Sequence, residues 1–179
     1  MESIIRRHWR PACRAAQPVG IEADGDPAMT RLERSRMLRL LAWACAAWIA
    51  WELLYYEQFK LTGNEGSIDG VFQPLATWFG IPAHEKPIRL GVAILEIVAS
   101  VLVLIPALRL WGALLTVGLM GGAIFFHVVG PIGIDPYGDG GGLFKEALFT
   151  FATACLLAWL HRDELAAVLR RIAPRLGIA

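Results

Sequence analysis

Four stretches of the chain stay apolar for about the length of a membrane crossing. Residues 37–56 read MLRLLAWACAAWIAWELLYY, 88–108 read IRLGVAILEIVASVLVLIPAL, 110–129 read LWGALLTVGLMGGAIFFHVV, and 143–160 read LFKEALFTFATACLLAWL. A helix needs about 20 such residues to span a hydrocarbon layer of about 30 Å. Core helices of a soluble bundle alternate apolar and charged faces, whereas residues 97–108 and 110–126 hold no charge at all. The pattern predicts an all-α membrane protein, a four-helix transmembrane bundle with spans at about 37–56, 88–108, 110–129 and 143–160.

The connections differ in kind. Pro106-Ala107-Leu108-Arg109 joins spans two and three in a tight helical hairpin, because proline ends a helix. Residues 57–87 are semi-apolar and carry Phe72, Trp78 and Phe79 among prolines. They read as an interfacial strap between spans one and two, since aromatic side chains settle at the membrane–water boundary. Residues 130–142, GPIGIDPYGDGGG, hold too many glycines and prolines for a helix.

Composition agrees with this reading. The chain is 56% hydrophobic and only 18% charged, against about 25% charged in ordinary soluble domains. Its formal net charge of +1 excludes intrinsic disorder as the main state and gives no reason to expect nucleic acid as a partner. The lipid bilayer is the expected one. Cys13, Cys45 and Cys155 are an odd number with no C-x-x-C spacing, so neither a disulfide framework nor a zinc site is predicted.

Basic residues set the direction of insertion. Arg6, Arg7, Arg10, Arg14, Arg31, Arg34, Arg36 and Arg39 precede or open span one, Arg109 sits in the hairpin, and Arg162, Arg170, Arg171 and Arg175 follow span four. Only Lys60, Lys86, Arg89 and Lys145 fall on the other side. Thirteen against four places both termini of a multi-pass protein in the cytoplasm. Residues 1–36 lack the apolar core of a signal peptide and read as a mostly disordered cytoplasmic tail. Residues 163–179 interleave Leu165, Val168, Leu169 and Ile172 with arginines, which predicts an amphipathic helix on the membrane surface.

Polar residues inside a span are costly and so point to function. At 100° per residue, each span carries one polar stripe. The stripes are Cys45, Trp48, Glu52, Tyr55 and Tyr56; Arg89, Ala93, Glu96 and Ser100; Thr116, Met120, Ala123 and His127; and Glu146, Thr150 and Thr153. The charged members lie toward the outer ends, with Glu96 roughly 12 Å in by helical rise. The stripes imply a polar vestibule open to the outer side with Glu96 at its floor. Glu96 and His127 are the candidates for proton handling, because a desolvated carboxyl and an imidazole both titrate in a useful range. Glu52, Lys60 and Arg89 are candidate ligand-binding groups, Lys60 and Arg89 as attractors for an anion at the mouth. Each also has a bland reading, as a buried hydrogen-bond partner or a hydrated interface residue.

Gly118-Leu-Met-Gly-Gly122 is a small-xxx-small pattern that permits close helix approach. It lies about 140° around the helix from His127. It therefore reads as a packing seam, within the chain or in a homo-oligomer, rather than as part of the vestibule. No phosphate-binding loop, dinucleotide fingerprint or nucleophile elbow is present. His8, His84 and His161 lie outside the spans, which disfavours a bis-histidine haem. DPYGDGGG lacks the acidic ladder of a calcium loop.

A lysine just after span one (Gln58-Phe59-Lys60-Leu61) and Arg89-Leu-Gly-Val-Ala-Ile-Leu-Glu96 in span two resemble the DoxX family of bacterial membrane proteins. So do Phe126-His127 at the end of span three and Asp139-Gly-Gly-Gly-Leu-Phe144 beyond it. The similarity covers roughly residues 37–162. It implies a four-helix membrane bundle associated with terminal oxidase, thiosulfate:quinone oxidoreductase or redox-stress systems, with Lys60, Glu96, His127 and Asp139 as the polar positions carried over. The expected function is a membrane subunit of a redox system, with a protein partner in that complex and a vestibule for a quinone headgroup or small oxyanion. Two rivals stand beside it. One is a small-solute carrier, disfavoured by the apolar stretches 101–105 and 110–115. The other is a scaffold without catalytic activity.

Overall fold

A computed structural model describes residues 27–172, and every described element is helical. The first helix, α1, covers Pro27–Thr62. Its 36 residues rise about 54 Å, far more than a hydrocarbon layer. Its membrane-competent part is Ser35–Thr62. The helix thus begins well before the predicted residue 37, because the charged stretch 31–36 adopts helix as readily as the apolar one. It also runs past Tyr56 and ends where Gly63 turns left-handed, with φ of 68°, and Asn64 N–H closes on the Phe59 carbonyl at 3.0 Å.

The connection to the second long helix is itself helical. It comprises α2 (Glu65–Ser67), capped by the Asn64 side chain, a wide turn over Ile68–Phe72, α3 (Gln73–Trp78), and a tight turn over Pro82–His84. Phe72, Leu75 and Ala76 are buried, whereas Trp78 and Phe79 are half exposed and pack edge-on against Phe126.

Three further long helices follow: α4 (Glu85–Leu104), α5 (Arg109–Val128) and α6 (Gly142–Leu160). The second span stops at Leu104, short of the predicted 108, because Ile105 is already extended ahead of Pro106. Residues 129–141 form no helix, as their glycines dictate. A last helix, α7 (Arg162–Ile172), turns off after His161. The predicted tails fall partly outside this range: residues 1–26 and 173–179 lie beyond the described residues.

The four long helices pack as a ring in the order α1, α4, α5, α6, each beside the next and α6 against α1. Four helices are long and apolar enough to cross a membrane. The polarity of the bundle is inverted relative to a soluble protein. Trp51, Ile94, Val101, Trp111, Phe149 and Trp159 are exposed, while Glu52, Glu57, Glu96, Ser100, Thr116, Thr150 and His127 are buried. An apolar exterior of this kind suits contact with lipid.

Small residues set the interior at the α4–α5 hairpin end. Ala99, Ala113 and Val103 are fully buried. A Cβ on Gly112 would lie 2.5 Å from the Val103 backbone nitrogen, so only glycine permits this approach. Ser100 and Thr116 spend their hydroxyls on the carbonyls of Glu96 and Gly112, one turn back on their own helices. Arg109, expected to be a surface charge of the hairpin, is instead buried: its Nε donates to the Val103 carbonyl and its guanidinium lies 4.1 Å from the centre of the Trp43 ring. It satisfies a carbonyl that the end of α4 leaves unpaired.

Candidate functional site

A cavity of about 660 Å³ opens at the other end of the bundle, where α1 and α5 finish and α4 and α6 begin. Aromatic and apolar side chains make most of its wall, including Tyr55, Phe59, Phe72, Leu119 and Phe126. Glu52, Lys60, Glu96, His127, Asp139 and Glu146 supply its charged and titratable lining.

The inner polar cluster is built on helical spacing. Glu57 and Lys60 are three residues apart and therefore share a face of α1. Lys60 Nζ donates to Glu57 Oε1 at 3.2 Å and reaches across to Glu96 Oε2 on α4. All three side chains are largely withdrawn from solvent. One ammonium thus serves two carboxylates, and Glu57 Oε2 is left buried without a partner. Losing one member of such a buried pair costs about 3–5 kcal/mol, since the remaining charge is stranded.

Arg89 lies next to this cluster but does not line the cavity. Its Nε donates to Glu85 Oε1 at 2.6 Å, and its Nη1 donates to the Lys60 carbonyl at the end of α1. Its Nη1 therefore ties α1 to α4, and its Nε is held by Glu85 on its own helix. Lys60, the other expected attractor, is already held between Glu57 and Glu96.

Across the cavity, the Tyr56 hydroxyl donates to Glu146 Oε2, and Trp48 Nε1 donates to Thr150 Oγ1 at 3.2 Å, so two polar contacts join α1 to α6. Glu52, one turn below Tyr56, is 5% exposed and lines the cavity. It has no hydrogen bond or ion pair among the described residues. His127 is 3% exposed, with Nδ1 2.5 Å from the Gly133 carbonyl. A carbonyl only accepts, so Nδ1 carries the hydrogen and Nε2 is free to accept when the ring is neutral. Phe144 flanks the imidazole at 5.6 Å.

The 129–141 loop closes the outer rim by its own chemistry. Asp135 accepts from the Asp139 and Gly140 amides, and Asp139 Oδ1 accepts from those of Gly141 and Gly142. Asp139 thus caps the start of α6 while also facing the cavity. Desolvation alone would push the Asp135 carboxyl up, but donation from the amides of Gly141, Gly140 and Asp139 outweighs it and holds the group below its ordinary value. Tyr137 donates to the Gly66 carbonyl at 3.1 Å, and its ring fills the space that a Cβ on Gly70 would need, at 2.6 Å. Burial, and then the Asp139 charge, raise its phenol above the usual range.

The chain matches no protein-family model, no curated protein and no solved structure.

The structure gathers Glu52, Lys60, Glu96, His127 and Asp139 around one cavity and leaves Arg89 beside it. Sequence reasoning missed Glu57, which lies just beyond the expected end of span one, and the Tyr56–Glu146 pair. The i,i+3 spacing of Glu57 and Lys60 was the signal that could have found the former. The glycine seam within the chain is corrected. Gly118 and Gly122 line the cavity, and a Cβ on either would meet nothing within 4 Å. The close approach belongs to Gly112, four residues before Thr116. Cys45 is buried and Cys155 exposed, and both are free thiols.

Proposed function

We propose that the protein is a DoxX-type subunit of a redox system in the bacterial inner membrane, and that its cavity receives a quinone headgroup. In this reading both termini are cytoplasmic, the cavity faces outward, and the helical segment 65–84 lies as a strap in the membrane interface with Trp78 and Phe79 at the headgroup level. The observation that carries the proposal is an aromatic-walled cavity of about 660 Å³ between membrane-competent helices with proton-bearing groups inside it.

The residues present fit a quinone. Tyr55, Phe59 and Phe126 offer flat apolar surface for a ring, and the third ammonium hydrogen of Lys60 can be donated to a carbonyl oxygen. A bound quinone supplies two-electron chemistry coupled to protons, and a protein partner supplies the electrons. Glu96 and His127 are the residues to hold or pass a proton at Oε2 and Nε2, with Lys60 fixing the Glu96 carboxyl. A small oxyanion is a poorer fit, because the lining brings Glu52, Glu96, Glu146 and Asp139 against a lysine already engaged. The complete burial of Ala99, Val103 and Ala113 weighs against a solute carrier.

The test is purification in dodecyl maltoside, followed by solvent extraction and quinone analysis, then titration with ubiquinone-1. The expected results are a co-purifying quinone and saturable ubiquinone-1 binding that Glu96→Gln weakens while the variant remains folded. A folded protein with no quinone and no ubiquinone-1 binding removes the redox reading and leaves the scaffold. Cysteine labelling at Asn64→Cys in intact cells checks the direction: it should react from outside, and reaction only after permeabilisation reverses the topology.

A further inference from the structure

We infer that the same cavity is a binding site for a lipophilic organic cation, with Glu52 as its anchoring carboxylate. The inference stands apart from the quinone reading, because it rests on the charge left over after the internal ion pairs are assigned. Among the described residues Lys60 is the one Lys or Arg in the lining, and Glu57 and Glu96 already share it. Glu146 has only the neutral Tyr56 hydroxyl. Glu52, 95% withdrawn from solvent by its 5% exposure, faces the cavity with no hydrogen bond or ion pair among the described residues.

A carboxylate in a site of low dielectric is stabilised only by a counter-charge or a proton. The shape of the surroundings selects the kind of counter-charge. Among the described residues no group of three or more His, Cys, Asp or Glu side chains could hold a metal ion. The cavity presents Tyr55, Tyr56, Phe59, Phe126 and Tyr137, and aromatic faces attract cations electrostatically while accepting an apolar body. An ammonium or phosphonium centre surrounded by hydrocarbon answers both demands. A volume of about 660 Å³ admits a drug-sized molecule rather than a single hydrated ion. The natural source is either a free organic cation or the ammonium headgroup of a lipid, which present the same chemistry to Glu52.

The experiment uses radiolabelled tetraphenylphosphonium, which has no proton to lose, with the full-length protein in dodecyl maltoside and protein-free micelles as the blank. Saturable binding above the blank is expected, and Glu52→Gln should weaken it about tenfold or more while melting temperature is retained. Triphenylphosphine oxide, similar in body but uncharged, should compete poorly. If Glu52→Gln does not fold, Glu146→Gln takes its place, with a weakening of the same sign expected. Binding no greater than the blank in folded wild type overturns the inference. So does wild-type affinity in the folded glutamine variant, or equal competition by the neutral compound. Phosphatidylethanolamine added to the micelles then separates the sources: displacement identifies a lipid headgroup, and its absence a free cation. Quinone extraction is read independently, so loss of either ligand class leaves the other finding intact.

Discussion

At the hairpin end, α4 and α5 approach until not even a methyl group fits at Gly112. At the loop end a cavity of about 660 Å³ lies in the bundle, with both of these helices in its wall. Both ends draw on glycine, yet with opposite outcomes. Gly112 removes a side chain so that a backbone can come close, whereas Gly118 and Gly122 remove side chains and leave space. Polar groups divide in the same way. Ser100 and Thr116 turn back onto their own helices and expose nothing. Glu52, Lys60, Glu96 and Glu146 form contacts between helices or stay open to the cavity. The comparison teaches that a largely apolar exterior can enclose two unlike interiors, one fixed by shape and one by charge.

The largest effect should come from the charged end. Lys60→Met strands Glu57 and Glu96 and should cost about 3–5 kcal/mol. Adding Glu96→Gln to it should recover part of that loss. Unfolding midpoints of the single and double variants in detergent measure both numbers. A negligible cost for Lys60→Met would show that shape, not charge, holds this end too.

Glycine replacements set the two ends against each other directly. Gly112→Leu should destabilise by about 3 kcal/mol, the upper part of the range for overpacked cores, because the clash is with backbone. Gly118→Leu and Gly122→Leu should leave the midpoint within about 1 kcal/mol, since a surface-like position tolerates change. Those two variants should instead lower ubiquinone-1 binding by filling the cavity. Equal destabilisation at all three glycines would erase the distinction.

Much of this was legible in the sequence, for definite reasons. Uninterrupted apolar stretches located the four long helices because no soluble fold tolerates them. The polar stripes picked out Glu52, Glu96 and His127, which do line the cavity, because helical periodicity gathers polar residues on one face of each helix. Other features were hidden. The extension of α1 back to Pro27 was hidden because a helix running beyond its apolar stretch keeps its geometry while losing its apolar signature. The glycine pattern was assigned to a seam because spacing alone does not say whether the missing side chains are replaced by a neighbour or by space. The engagement of Arg89 was hidden for a related reason: its partner on α1 is a backbone carbonyl, which every residue possesses.

The smallest effect should appear at the rim, as a function of pH. The Asp135 carboxyl is held below its ordinary value of 3.8 by backbone amides. A carboxyl lowered on folding contributes its stabilisation above the unfolded value, and that contribution disappears as pH falls through the folded value. Residues 133–141 should therefore stay protected at neutral pH and loosen only in acid below 3.8. Limited proteolysis across the acid range reads this directly. Asp135→Asn should loosen the loop already at pH 7, with little change in the global midpoint.

The bond from Arg89 to the Lys60 carbonyl also bears on biogenesis. The chain is made from its N-terminus, so α1 is complete before α4 exists. Its last turn then holds Glu57 and Lys60 as a pair, with no carboxylate from α4 beside the lysine. Only the arrival of α4 supplies both the arginine that completes that turn and the second carboxylate for the lysine. The cavity is thus a product of late assembly, and the first helix alone does not contain it.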